Sequence, residues 1–238
     1  VRDWYNYAVQ QAVARLFDVR RGQAGGTPPG QRIEVGDWSL RLEAGRGAAA
    51  AEPPDELLPA AGLAFRGLRS IYRRDGFGAE LVAVLPVRVQ RSAWTVGAGE
   101  ATVPLEWSEL STRNRTALLR FESAPLQQLL GTREAILTLH DPLQEDAVTL
   151  HGQPVPLAGN FSAGPGVWLA RSDFSRQSLR ALLGRGPGLD HPRLYLLQPY
   201  DPQRRVIVLL HGLASSPEAW VNVANELLGD EALRRGFQ

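Results

Sequence analysis

The sequence has no cysteine, no methionine and no lysine. Without cysteine there can be no disulfide, thiolate zinc site, iron–sulfur cluster or thiol nucleophile. The redox compartment stays open. Without a methionine at position 1, the chain is expected to be an internal piece of a longer protein. A missing signal peptide or lipid-attachment sequence therefore carries no information. All 26 basic residues are arginine, and they are dispersed rather than gathered in one basic patch. With a formal net charge of +1, nothing in the charge balance calls for nucleic acid. No apolar run approaches the roughly 18 residues that a membrane-spanning helix needs.

What is present is an ordinary globular composition. The chain has 238 residues, 44% of them apolar, enough for one large domain or two modest ones. The abundance of arginine, alanine, glycine and proline reads as the codon bias of a GC-rich genome. No internal repeat stands out.

Residues 3–18 predict a helix capped by Asp3. Trp4, Ala8, Ala12 and Leu16 recur at spacing four, and Tyr5, Val9, Val13 and Phe17 lie one step round. This wide stripe is expected to pack on the rest of the protein; a membrane-surface helix should instead carry cations along its polar face. Residues 21–30 have loop composition, 32–43 predict a short strand pair, and 44–62 predict a linker or exposed loop. From 63 to 170, short alternating runs separated by turn residues predict an antiparallel, sandwich-like β region. A helix is expected over 175–184 and a strand over 193–200.

The stretch with the most chemical content is "RVIVLLHGLASSPEAW", residues 205–220. "RVIVLL" predicts a strand buried on both faces of a mostly parallel sheet. The chain then turns at His211-Gly212. Ser216 suits an N-cap, Pro217 the first helical position, and Glu218 the positive end of the helix dipole. Trp220, Val223, Leu227 and Leu228 share one face of the following helix, and Gly229 can end it. Backbone N–H groups at the C-terminal end of such a strand point into the crevice where ligands bind.

This stretch resembles the third strand and oxyanion loop of the α/β-hydrolases, the fold of many lipases and esterases. "LYLLQPYDPQRR" before it and "NELLGDEALRRGFQ" after it are similar to a bacterial subgroup of esterase/lipase-like proteins with a long N-terminal region. The specific part covers residues 194–238; "DGFGAELVA" and "PLAGNFSAGPGVWLARS" resemble that N-terminal region more weakly. The resemblance implies that the Leu213 N–H donates to an oxyanion and that His211 and Gly212 shape the loop. His211 would then be structural, not the catalytic base. The implied reaction is serine-dependent acyl transfer without metal or organic cofactor. Its substrate would be a small-molecule or lipid ester, at a membrane surface or free. A bacterial envelope or secreted location is implied as well.

A serine hydrolase also needs a G-x-S-x-G elbow, then an acid, then a histidine, in that order. The 26 residues after Gly212 contain no elbow. Ser162 in "GNFSAGPG" lacks the first glycine, and no apolar strand leading into it or helix after it is expected. The catalytic residues are therefore expected beyond Gln238, with this chain inactive alone and its missing C-terminal part the main partner.

The expected architecture is mixed α/β. Residues 1–62 form a helix, short strands and a linker; 63–190 form the β-rich region; 191–238 begin an incomplete α/β-hydrolase domain. An unpaired "RVIVLLHG" would be an apolar edge and an aggregation hazard. The competing reading is a non-catalytic binding module with a hydrolase-like fold.

The remaining histidines, His140, His151 and His191, predict turn or surface positions, because none has metal-ligand spacing. "DGFG" (75–78) lacks the Walker lysine and predicts a hairpin turn. The carboxylates of "EPPDE" and "LQEDA" are expected to be solvated.

Overall fold

The computed structural model describes residues 1–20, 32–45, 54–96, 101–122, 125–150, 152–172, 193–212, 215 and 217–238. The fold is mixed α/β, and the chain forms two compact units. The first comprises Val1–Ala64, Ile71–Leu85 and Thr112–Gly164; the second comprises Phe65–Ser70, Pro86–Ser111 and Pro165–Gln238.

The first unit is built on helix α1 (Arg2–Arg20) and a six-stranded sheet. Its strands are β1 (Arg32–Val35), β2 (Trp38–Ala44), β3 (Glu56–Pro59), β5 (Ala79–Val84), β8 (Thr112–Arg120) and β9 (Glu134–His140), in spatial order β1-β2-β9-β8-β5-β3. The expected strand pair is there: β1 and β2 form a hairpin whose tight turn uses Gly36 at φ +61°. Strands from both sides of residue 62 share this sheet. β3 lies within the segment expected to be a linker and forms an edge that ends at Pro59, where a missing N–H is tolerated. β2 and β9 run parallel, which alternation alone does not reveal, because a period of two fixes the face of a side chain and not the direction of its neighbour. A short helix α2 (Leu126–Gly131) precedes β9.

Helix α1 packs on this sheet. Val9, Val13 and Leu16 are buried with Leu40, Leu42, Leu81, Ala117 and Leu137. The buried line is thus the Val9–Val13 row, while Trp4 at the other edge of the stripe is 79% exposed. Tyr5 explains part of that rotation. Its hydroxyl donates to the Leu119 carbonyl (2.9 Å) and accepts from the Leu119 N–H (3.0 Å). β5 pairs with β8 only as far as Ala79–Ala117, so Tyr5 takes over where the ladder stops. Burial pushes the Tyr5 phenol up to about 12. Between about pH 10 and 12 the unfolded chain loses this proton and the folded chain keeps it, so stability present below pH 10 drains away as pH rises. Urea unfolding of the wild type should lose about 2 kcal/mol across that window. Tyr5→Phe should be about 1–3 kcal/mol less stable at pH 7, from Leu119 backbone groups left unpaired, and should lack this component of the alkaline decline. An identical pH profile for the two proteins would refute the assignment.

The opposite face of β8 is polar yet buried. Thr112, Asn114 and Thr116 share it by their spacing of two. Thr112 Oγ1 donates to Gly164 O (2.8 Å), Thr116 Oγ1 to Ala158 O (2.6 Å) and Asn114 Nδ2 to Phe161 O (3.2 Å), while Asn114 Oδ1 accepts from Gly164 N (2.6 Å). The three side chains thereby satisfy backbone groups of residues 158–164, which have few ladder partners of their own. Smaller pairs complete the unit: β4 (Arg73–Arg74) with β12 (Gly159–Asn160), and β10 (Ala147–Leu150) with β11 (Gln153–Pro156). "DGFG" is therefore no hairpin turn. It carries the chain from β4, paired with β12, to β5 in the large sheet.

The second unit holds a three-stranded sheet of β6 (Gln90–Val96), β7 (Ala101–Glu109) and β13 (Arg193–Leu196), ordered β13-β7-β6, with β13 parallel to β7. Glu106 on β7 binds Arg193 (2.7 Å) and Arg91 (2.9 Å), and these guanidiniums, Arg193 first, hold its carboxyl below the usual range. Helix α3 (Ala163–Arg171) brings the chain into this unit. One 3-10 turn (Pro217–Trp220), α4 (Val221–Gly229) and α5 (Glu231–Gly236) follow the His211-Gly212 segment. The helix expected over 175–184 lies outside the described residues.

Candidate functional site

The expected buried strand at 205–210 is formed only at its start. Arg205 N–H donates to Gly236 O (3.0 Å), Gln238 N–H to Arg205 O (2.9 Å) and Ile207 N–H to Gln238 O (3.0 Å). This is a parallel pairing, centred on Arg205 and Phe237. Beyond Ile207 no ladder continues among the described residues. Val206, Val208 and Leu210 are 54%, 59% and 78% exposed, while Ile207 and Leu209 are half-buried. The apolar run specifies a place in a sheet, but neighbouring strands are a long-range property that the run cannot supply by itself. The exposed Val206, Val208 and Leu210 are the apolar side chains that the expected edge would show, but Arg205–Ile207 is paired with Gly236–Gln238 and not unpaired.

The chain leaves the segment as expected. His211 is half-buried and its Nδ1 lies 3.2 Å from Gly212 O. Ser215 N–H donates to Gly212 O (3.1 Å). A Cβ on Gly212 would meet nothing within 4 Å, so open space borders the turn. Leu213, the expected oxyanion donor, and Ser216, the expected N-cap, lie outside the described residues. Helical structure begins at Pro217, and Trp220 Nε1 donates to Leu210 O (2.8 Å), tying the first turn to the end of the preceding segment.

Helix α4 turns differently from its apolar pattern. Val223 is 41% exposed, and the buried residues are Ala224, Asn225 and Leu228. The helix ends at Gly229 as expected, and Asp230 caps α5 by accepting from Leu233 N (2.9 Å). Arg234, buried, donates to Leu228 O (2.9 Å) on the last turn of α4.

Ser162 precedes a helix, contrary to expectation, while the two residues paired before it, Gly159–Asn160, are not an apolar strand. Asn160 Oδ1 accepts from Ser162 N (3.2 Å) and Ala163 N (2.9 Å), the side-chain cap that starts α3. The serine is fully buried and its Oγ accepts from Tyr72 N (2.8 Å). Its role is to hold backbone, since no solvent or histidine reaches it among the described residues.

"DGFG" borders a cleft of about 170 Å³ with Arg2, Asn6, Arg73 and Glu80. Its donors are spent inside the protein: Phe77 N on Pro156 O (2.7 Å) and Gly78 N on Asn6 Oδ1 (2.7 Å). These two donors are therefore not available to a phosphate. Of the carboxylates of "LQEDA", Glu145 is largely buried, contrary to expectation, while Asp146 is partly exposed. Glu145 binds His140 Nδ1 (2.9 Å), and Asp146 pairs with Arg74. His140 Nε2 lies 3.1 Å from Thr138 Oγ1, so both of its ring nitrogens are engaged. His151 and His191 lie outside the described residues. Among the described residues no group of three or more His, Asp or Glu is placed to hold a metal, and no helix is long and apolar enough to cross a membrane.

Two residues escaped the reading of the sequence. Asn222 and Asn225, one turn apart on α4, bind the backbone of residues 67–70. Two asparagines inside an otherwise aliphatic helix were the available signal, because asparagine is a poor helix former that prefers to bind backbone. Comparison with protein-family models, with curated proteins and with solved structures finds no match to this chain.

Proposed function

We propose that this chain carries the oxyanion-loop unit of a serine hydrolase of the α/β-hydrolase type, acting on carboxylic esters. The observation that supports this most is the parallel pairing of Arg205–Ile207 with Gly236–Gln238 across α4 and α5. An extended segment, a glycine turn, helices and one parallel bridge back to the start of the segment are what the beginning of a βαβ unit would need; in a parallel sheet built from such units, ligands sit at the C-terminal ends of the strands. The His211-Gly212 turn occupies that end, beside open space. The exposed residues Val206, Val208 and Leu210 fit a strand whose faces and far edge other parts of a doubly wound sheet would cover.

In the proposed reaction a serine supplied after Gln238 attacks the ester carbonyl, and a histidine held by an acid takes its proton. The carbonyl oxygen gains the charge, and the Leu213 N–H donates to it. One such donor supplies about 3 kcal/mol of transition-state stabilisation. Collapse of the tetrahedral intermediate expels the alcohol, and water hydrolyses the acyl-serine. The chain's own part is to place the donor.

The test is to read the gene past the codon for Gln238, express the whole product, and assay p-nitrophenyl butyrate hydrolysis and fluorophosphonate labelling. A G-x-S-x-G elbow, then an acid, then a histidine, with a labelled serine, is the expected result. A frame without an elbow, or a product that neither labels nor hydrolyses, would overturn the reading and leave a non-catalytic binding module.

A further inference from the structure

Helix α4 buries an asparagine and exposes a valine. Asn225 is 1% exposed and Val223 is 41% exposed. Burying an amide is costly unless fixed polar partners wait for it. Here the Asn225 Nδ2 finds the Ser70 carbonyl, 155 positions earlier in the chain, while its Oδ1 is buried without a hydrogen-bond partner among the described residues. Asn222 Oδ1 accepts from Arg69 N (2.9 Å), and its Nδ2 donates to Gly67 O (3.0 Å). One turn on, Asn225 Nδ2 donates to Ser70 O (2.8 Å). Because a backbone N–H only donates and a carbonyl only accepts, the orientation of the Asn222 amide is fixed by its partners.

The segment is held on a second side. A Cβ on Gly166 of α3 would lie 2.5 Å from the Phe65 ring, so this glycine exists to admit the ring. Gly67 takes φ +97°, a conformation that suits glycine, with Leu169 beside it. Residues 65–70 thus form a strap between α3 and α4.

We infer that Asn222 and Asn225 are positioning residues: they fasten the 65–70 strap to α4 and so hold the helix that sets the end of the 205–212 segment. α4 continues from the Pro217–Trp220 turn, and Trp220 Nε1 grips Leu210 O (2.8 Å), immediately before His211-Gly212. The strap comes from the long N-terminal region, which thereby has a mechanical part in the site. This inference rests on the hydrolase reading for its catalytic consequence, but not for its structural one.

The experiment uses the protein read to the end of its gene. Hydrogen exchange is followed by mass spectrometry in wild type, Asn222→Ala and Trp220→Phe, together with kcat and KM for p-nitrophenyl butyrate. Asn222→Ala should speed exchange severalfold both in peptides covering 65–70 and in those covering 205–220. It should lower kcat about fivefold or more while KM stays within twofold. Trp220→Phe should speed exchange at 205–212 and leave 65–70 protected, because it cuts the chain of contacts after the strap. Asn222→Ser keeps a hydroxyl acceptor and replaces Asn222→Ala if that variant does not fold. Faster exchange confined to 65–70, with kcat unchanged, would overturn the inference. A wild-type protein with no esterase activity overturns the hydrolase reading instead, and the exchange pattern alone then decides whether the asparagines position α4.

Discussion

Leu213→Pro, in the protein read to the end of its gene, is expected to lower kcat on an ester by about 10²–10³ while the KM moves little. The substitution removes one backbone N–H. If that donor faces the oxyanion, the loss falls on the transition state, where the oxygen carries charge, and far less on the bound ester. The scale corresponds to about 3–4 kcal/mol. The fold around the turn should bear the change. Gly212, whose conformation a following proline restricts, is a glycine with nothing within 4 Å of a notional Cβ. The flanking ties, Ser215 N to Gly212 O and Trp220 Nε1 to Leu210 O, do not use the lost donor. Leu213→Ala keeps the N–H and is the control; its kcat should stay within about threefold of wild type, since a retained donor retains the term. Equal kcat for the two variants would show that the oxyanion is held elsewhere. A Tm fall in Leu213→Pro alone, matched by an equal loss of folded protein, would show that the proline acts on the fold and not on the site.

The parts of the molecule that were legible in the sequence are those fixed by local pattern. The α1 helix carries its apolar period, although it begins at Arg2 with the expected cap Asp3 inside its first turn; the Gly36 hairpin carries its turn glycine, and the Pro217 to Gly229 segment its proline start and glycine end. What was not legible depends on a distant partner. Thr112, Asn114 and Thr116 look like a polar prelude to the strand that follows; their spacing gains meaning only when the backbone of 158–164 needs donors and acceptors. Asn225 displaces Val223 from the buried face of α4 for the same reason, since Ser70 O waits for it. The 205–210 run shows the converse. Its composition predicts a central strand, and among the described residues the only pairing it forms is the bridge to Gly236–Gln238. The candidate loop was found because glycine, proline and helix cap stand in sequence order, whereas the residues that hold its helix come from 155 positions away.

Asp141→Ala is expected to destabilise the first unit by about 3–5 kcal/mol. Asp141 and Arg115 pair at 2.9 Å, and each side chain is only 9% exposed. Arg115 sits on β8 and also donates to Asn114 O (2.9 Å); Asp141 follows β9, and its other oxygen accepts from Leu143 N (2.9 Å). Removing the carboxylate leaves a guanidinium without its counter-ion and orphans the Leu143 N–H at the turn. An exposed pair would contribute only about 0–1 kcal/mol, so the size of the loss tests burial directly. The double variant Arg115→Met with Asp141→Leu separates the two costs. Replacing a buried ion pair by apolar groups of similar volume is often neutral, or stabilising by about 1–4 kcal/mol, because neither charge then has to leave water. The double variant should therefore recover most of what Asp141→Ala loses, falling short by about 1–3 kcal/mol for the unpaired Leu143 N–H. Urea midpoints at unchanged slope measure both. If the double variant is no more stable than Asp141→Ala, the pair supplies net stability, and the preference for a buried charge over a buried hydrocarbon would have to come from the β9 turn that Asp141 organises.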